Sequence, residues 1–243
     1  MKTELSNMRW SDLWEVYCPD ASSDELDRCE WLQASPLLPS EITLPVEVCE
    51  WLGRLYSIHA NYRHRKTYGQ FFTPSAVARY MASLSLPLEP HAVVVDPGAG
   101  VGILVAAIAE CLVRRNNRAP WSVVVYESDL ALTPVLRLAL GYTRDWLKQY
   151  EVDFSYDVKV DDFILANVAS LSPTPLLDHS GNHLSPHLII PNPPYFKLPK
   201  SDPRVDILPD IVYGQPNIYA LFMMAAAKLL RLAVCRREKP LGA

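Results

Sequence analysis

The tetrapeptide Asn192-Pro193-Pro194-Tyr195 follows the apolar run Leu188-Ile189-Ile190 across the single residue Pro191, and its residue types could do chemistry on a flat, amine-bearing ring. Two consecutive prolines lack backbone N–H donors and fix φ near about −65°, and the residue before each is pushed out of the helical region. A strand must stop here. The chain leaves it in a stiff shape that can aim the Asn192 carboxamide, a backbone carbonyl and the Tyr195 ring into one space. The two oxygens accept hydrogen bonds from an NH2 group, while the ring can stack on a planar heterocycle. Taken alone, the same four residues also read as a Pro-rich loop behind a buried strand.

A second constellation lies upstream. Asp96-Pro97-Gly98-Ala99-Gly100-Val101-Gly102 follows the apolar run Ala92–Val95 and holds three of the chain's nine glycines. Such a concentration marks backbone that needs positive φ or close approach to a ligand. The loop is neither Gly-x-Gly-x-x-Gly nor a phosphate loop with its Lys-Ser/Thr. Asp96 would repel a pyrophosphate and suits a cationic or amine-bearing ligand. Glu127, after Val123-Val124-Val125-Tyr126, can accept both hydroxyls of a ribose. Asp162 can pair with an adenine amino group while Phe163 packs on the ring. Three acids at the ends of three successive strands fit a nucleoside without phosphates, and the coherent cofactor is S-adenosylmethionine.

These residues need a scaffold that brings strand ends together. Apolar runs at Ala92–Val95, Ser122–Tyr126, Phe154–Val160 and His187–Ile190 read as strands. Gly102–Arg114, Leu130–Leu147 and Asn217–Leu232 read as helices between or after them. That alternation predicts an α/β fold with a largely parallel, Rossmann-like sheet covered on both faces. Ahead of it, Leu44–Tyr62 reads as an amphipathic helix. Ser75–Leu84 reads as another, with Thr73 as its cap and Pro74 at its first position. Residues up to about 40, broken by Pro19, Pro36 and Pro39, read as short helices. The expected division is a helical accessory region over 1–65 and a catalytic region over 66–243.

At 243 residues and 49% hydrophobic, the chain has enough apolar material for one sizeable core. No uninterrupted apolar stretch reaches the ~18 residues of a membrane span, and the first residues do not read as a secretory signal. Cys18, Cys29, Cys49, Cys111 and Cys235 show no Cys-x-x-Cys pair, so reduced thiols and a cytoplasmic setting are expected. A net charge of −4 gives no global nucleic-acid signature. Basic clusters at Arg63-His64-Arg65-Lys66, at Arg114-Arg115 with Arg118, and at Arg236-Arg237 with Lys239 are small. His179, His183 and His187 recur every four residues, but Gly181 and Pro186 interrupt any helix there, and no metal site is expected.

In order along the chain, Tyr68-Gly69-Gln70-Phe71-Phe72-Thr73-Pro74, the Asp96–Gly102 loop, Glu127, Asp162-Phe163 and Asn192–Tyr195 resemble a known family. It is the N6-adenine DNA methyltransferases of restriction–modification systems, nearest in pattern to type I modification subunits and type IIG-like enzymes. The resemblance covers about residues 45–232 and points to the S-adenosylmethionine-dependent methyltransferase fold. It implies that Phe72 and Thr73 line the methionine end of the cofactor. Asp96, Gly98 and Gly100 would cradle its amino-acid part, Glu127 its ribose, and Asp162 with Phe163 its adenine. Asn192 and the Pro193 carbonyl would accept from the target N6 amine, within the catalytic set Asn192, Pro193, Pro194 and Tyr195. Tyr195 would stack on an adenine flipped out of double-stranded DNA.

The family continues after the last helix with a Pro-Gly-Gly-like turn and further strands, whereas this sequence runs through Arg236-Arg237-Glu238-Lys239-Pro240 to Ala243. The expectation is a C-terminally truncated domain that works with a separate specificity subunit or the missing C-terminal part. Its sheet edge beside the fourth strand would be exposed. Two other readings stay open: transfer to a protein glutamine or an RNA base, and a silent remnant that binds cofactor or a partner subunit.

Overall fold

The computed structural model of the chain describes residues 9–19, 22–60, 72–171, 184–209 and 214–237. Tyr68 to Phe71 of the Gln-Phe-Phe-Thr-Pro segment, the Arg63–Lys66 cluster, His179, His183 and Lys239 lie outside them.

Three short helices, α1 (Trp10–Tyr17), α2 (Ser23–Asp27) and α3 (Glu30–Gln33), come first, followed by α4 (Pro45–His59). Pro45 opens α4, where its missing N–H costs nothing, and the Glu47 side chain accepts from the Leu44 N–H at 3.3 Å. Next comes α5 (Ser75–Leu84). The alternating region then runs β1 (Ala92–Asp96), α6 (Ile103–Arg114), β2 (Trp121–Tyr126), α7 (Thr133–Lys148), β3 (Phe154–Lys159), α8 (Phe163–Ala166), α9 (Val168–Leu171) and β4 (Leu188–Ile189). It ends with α10 (Pro203–Ile207) and α11 (Ile218–Arg237).

The strands form one parallel sheet in the order β3-β2-β1-β4. This is the α/β fold that the alternation predicts. Because all strands run the same way, Asp96, Glu127, Asp162 and Asn192 arrive at the same edge of the sheet. Side chains alternate between its faces. Ala92, Val94, Val123 and Val125 join a core with α1, α3, α4, α5, α6 and α7. Val95, Tyr126 and Ile189 join a second core with α8, α9, α10 and α11.

One buried carboxylate sets the position of α5. Glu110 on α6, 3% exposed, accepts from the Val46 N–H at 2.9 Å and from the Arg79 Nε at 3.0 Å. It thereby ties α4 and α5 to the helix that follows the glycine loop. A carboxylate so deep needs partners of this kind.

Two expectations need correcting. Thr73 does not cap α5: Pro74 holds the cap position with extended backbone, and the Thr73 hydroxyl is bonded elsewhere. And α11 does hold a window, Ile218–Cys235, with the length and mean hydropathy (1.8) to cross a membrane. Lys228 and Arg231 interrupt it, which is why no continuous apolar run appears in the sequence. Its buried residues Ile218, Leu221, Phe222, Ala225 and Leu229 pack in the second core.

Candidate active site

Asn192 is held at both ends of its carboxamide. Its Nδ2 donates to the Thr73 Oγ1 at 2.7 Å, and its Oδ1 accepts from the Tyr195 hydroxyl at 3.2 Å. Thr73 is buried, and its hydroxyl fixes which end of the amide faces outward. The oxygen is the end left to act as acceptor.

Two clefts meet at this residue. The first has a cavity volume of about 80 Å³ and is lined by Pro97, Gly98, Gly100, Glu127, Asp162, Phe163 and Phe222 among others. The second, about 520 Å³ and more open, is lined by Thr73, Tyr195 and Tyr219 with Val77, Met81 and Met223. Phe72, Asn192 and Pro193 face both. Pro194 lines the first cleft and Tyr195 the second, and Thr73, expected at the methionine end of the cofactor, lies on the Tyr195 side; Phe72, Asn192 and Pro193 stand between the two.

The glycines fit a close-approaching ligand. Gly100 has φ +57°, which favours glycine, and its N–H donates to the Glu127 Oε2 at 2.9 Å. A Cβ on Gly98 would stand 3.8 Å from Phe222 and 3.9 Å from the Asn192 carbonyl oxygen, filling the gap between them. Gly102 turns the chain into α6 at φ +78°.

Asp96 is fully buried beneath the Pro97-Gly98 wall rather than on the cleft surface, and neither carboxylate oxygen closes a hydrogen bond. Burial pushes its pKa up to about 7; the nearby Gly98 N–H opposes the rise and the Glu127 charge adds to it. Glu127 reaches the cleft, where burial likewise pushes it to about 7. The Asp129 N–H, donating to its Oε1 at 2.9 Å, and the Gly100 N–H hold that value down.

Asp162 lines the first cleft but already has work to do. Its Oδ1 caps α8 through the Ile164 and Leu165 N–H groups at 2.8 and 3.1 Å. Its Oδ2 accepts from Arg204 at 3.0 Å, and Arg204 is also paired with Asp202 at 2.7 Å. Phe163 is buried, edge-on to Tyr126 at 5.2 Å and tilted against Phe222 at 5.6 Å. Tyr195 is half exposed and lies on the Tyr219 ring, 5.6 Å between centroids and 18° from parallel. Every expected site residue therefore reaches one of the two clefts or lies directly beneath it.

Sequence reasoning passed over Phe222, Tyr219 and Arg204. The first two sit three residues apart in the opening turn of α11, in a run otherwise rich in Leu, Met and Ala. That aromatic pair at the start of an apolar helix was the available signal. The His187 Nδ1 accepts from the Val93 N–H at 3.1 Å, at the start of the β1–β4 pairing. Among the described residues, no group of acidic, His and Cys side chains could hold a metal.

A sequence profile of the N-6 DNA methylase family matches residues 48–197, more than half of the chain. The type II methyltransferase M.BsuBI of Bacillus subtilis is 29% identical over 170 residues, which is 69% of this chain and 32% of that protein. M.PstI of Providencia stuartii, another type II methyltransferase, is 28% identical over 167 residues, with the same coverage of each chain. The chain spans about a third of the length of these curated relatives. Among solved structures, a Listeria monocytogenes protein described as a class I S-adenosylmethionine-dependent methyltransferase superposes with a TM-score of 0.52 at 13% identity. That superposition covers 90% of this chain and 69% of the other, and what it shares is the fold.

Proposed function

The chain belongs to the N-6 DNA methylase family, and from that membership we propose that it transfers a methyl group to the N6 amine of an adenine in DNA, in a restriction–modification setting. The observation that carries this reading is the shared wall, with an amide acceptor set between a cleft lined by acidic and aromatic side chains and a second, more open cleft.

The first cleft fits S-adenosylmethionine. Asp96 supplies a buried carboxylate without a closed hydrogen bond, for which a cationic amino group is the matching charge. Gly98 and Gly100 leave the backbone free of Cβ atoms where the amino-acid part lies, next to Phe72 and Thr73. Glu127 takes the ribose hydroxyls, and Phe163 and Phe222 enclose the adenine beside Asp162. When bound, this cofactor supplies a methyl group already activated on a sulfonium.

The chain's own contribution is positioning and electrostatics. The N6 lone pair of adenine is delocalised into the ring and is a poor nucleophile. Asn192 Oδ1 and the Pro193 carbonyl accept from the two N6 hydrogens, which favours the pyramidal amine that attacks. Both bonds strengthen as the nitrogen becomes positive. A bound S-adenosylmethionine would give up its methyl to N6 and be left as a neutral thioether, and one N6 proton would leave to water. Thr73 keeps the amide from rotating its NH2 towards the target. Tyr195 stacks on the extruded base and offsets part of its unstacking cost. Pro193 and Pro194 hold the turn stiff. Reading of the base sequence is assigned to a separate specificity subunit or a C-terminal part.

The test is transfer of a labelled methyl group to plasmid DNA, with calorimetry of cofactor binding alongside. Asn192→Ala is expected to lower transfer about 100- to 1,000-fold, the scale of losing one transition-state hydrogen-bonding partner, with cofactor affinity unchanged. Equal transfer by the variant, or label on RNA or protein but not on DNA, overturns the proposal.

A further inference from the structure

The resting site is occupied by one of its own side chains. Tyr195 donates its hydroxyl to Asn192 Oδ1, the acceptor assigned above to the target amine. The ring that carries this hydroxyl lies nearly parallel to Tyr219. A flat aromatic ring with a donor at its rim, bonded to Asn192 Oδ1, is also the chemical description of the adenine. Tyr195 therefore stands where the target ring would lie, and the surface beneath that place is Tyr219.

We propose that Tyr219 is the second stacking surface of the target-base site, and that the adenine enters between it and Tyr195. This rests on the reading that the second cleft receives adenine.

Three features support the geometry. The backbone that carries Tyr219 is fixed at the start of its helix. Tyr219 lies in the first turn of α11, its N–H donates to the Asn217 Oδ1 at 3.0 Å, and the Ile218 N–H donates to the Phe196 carbonyl at 3.1 Å. Lys197 and Asn217 pair as an antiparallel bridge, so the start of α11 is tied to the segment directly after Tyr195. The backbone segments that carry the two rings are thus tied to each other.

Tyr195 is built to move. It is 53% exposed, and its side chain is held by the hydroxyl contact to Asn192 and the stack on Tyr219. An amine arriving at Asn192 replaces the first contact and a base replaces the second, so the ring that leaves can close on the base's other face.

The surroundings suit a base. Met223, Met81 and Val77 line the same cleft, an apolar border from which a heterocycle displaces water. At 5.6 Å the two rings touch each other, within the usual range for an aromatic pair, so the base enters only as they part.

The probe is a short fluorescein-labelled thymidine oligonucleotide with one central adenine, against the same oligonucleotide without it. Binding is read by anisotropy in the presence of S-adenosylhomocysteine. A single strand removes the need for a recognition sequence or for base extrusion. Tyr219→Ala is expected to weaken the adenine-dependent part of binding about 5- to 150-fold, the value of one base–aromatic stack. Tyr219→Phe keeps it, and Tyr219→Leu, which keeps bulk without a π-face, behaves as the alanine variant does. Calorimetric affinity for S-adenosylhomocysteine stays unchanged in all three and reports that the fold is intact. Adenine-dependent binding by Tyr219→Ala equal to or tighter than wild type overturns the inference, because Tyr219 would then only support Tyr195 at rest. A wild-type chain without preference for adenine, and indifferent to Tyr195→Ala, overturns the underlying reading of the cleft and this inference with it.

Discussion

Asp96 and Glu127 carry the strongest electrostatic consequences of any side chains near the site. Burial raises both to about 7, from ordinary values of 3.8 and 4.5. A carboxyl whose folded pKa lies above its unfolded one stabilises the fold fully below the unfolded value. That contribution is lost as pH rises through the folded value. Without ligand, the chain should therefore lose stability between pH 3.8 and about 7 on account of these two groups. A ligand with a cationic amine has the opposite preference, since it favours the ionised Asp96 and drives a proton off. Affinity for S-adenosylmethionine is expected to rise with pH up to about 7, approaching tenfold per unit for each proton released, and then to level off. Titration calorimetry in buffers of different ionisation enthalpy measures that proton directly. Asp96→Asn should flatten the profile, and a pH-independent affinity in the wild type would refute the assignment.

At the scale of elements, Glu110 decides whether the base side of the wall is in register. It joins α6 to α4 and to α5, and α5 begins just past the threonine that orients Asn192. Removing Glu110 lets Arg79, 30% exposed, turn to solvent but leaves the buried Val46 N–H without its acceptor, which costs about 1–3 kcal/mol. Glu110→Ala is expected to lower the urea midpoint accordingly, and a midpoint within error of wild type would show that the pair is dispensable. This arrangement also marks the limit of what the sequence could tell. Strands β1 and β2 were legible because continuous valines between turn residues have few other uses. The site acids were legible because each stands at or just past a strand end. The Thr73–Asn192 bond was not, since the two residues are 119 positions apart and Thr73 satisfies every local rule for a helix cap. Tyr219 and Phe222 were hidden for another reason. In an apolar helix an aromatic ring reads as core, and only the placement of that helix across the sheet edge turns its first turn towards a cleft. Arg204 follows the Lys197-Leu198-Pro199-Lys200 stretch, which reads as surface, yet it closes on the cap of α8.

At the scale of the whole molecule, the sheet separates two apolar cores, and the clefts open where its carboxyl edge leaves them both accessible. Phe72 packs against the first core, Phe163 and Phe222 belong to the second, and all three line one cleft. A ligand seated there bridges the two halves of the fold.

The partition formed by Phe72, Asn192 and Pro193 has a thermodynamic consequence. On the proposed function each of its two sides touches a different reactant, so any shift that one reactant imposes on it is felt by the other. Such coupling is reciprocal: the factor by which the first ligand tightens the second equals the factor by which the second tightens the first. For sites sharing such a wall, a mutual enhancement of about 5- to 150-fold is expected, the usual range for linked sites. It is measured by titrating S-adenosylhomocysteine with and without the adenine oligonucleotide, and then in the reverse order. Equal affinities in both arms would mean that the wall is rigid and the sites independent. Enhancement of equal size in both directions would make the partition a coincidence detector, favouring the doubly loaded state over either single complex.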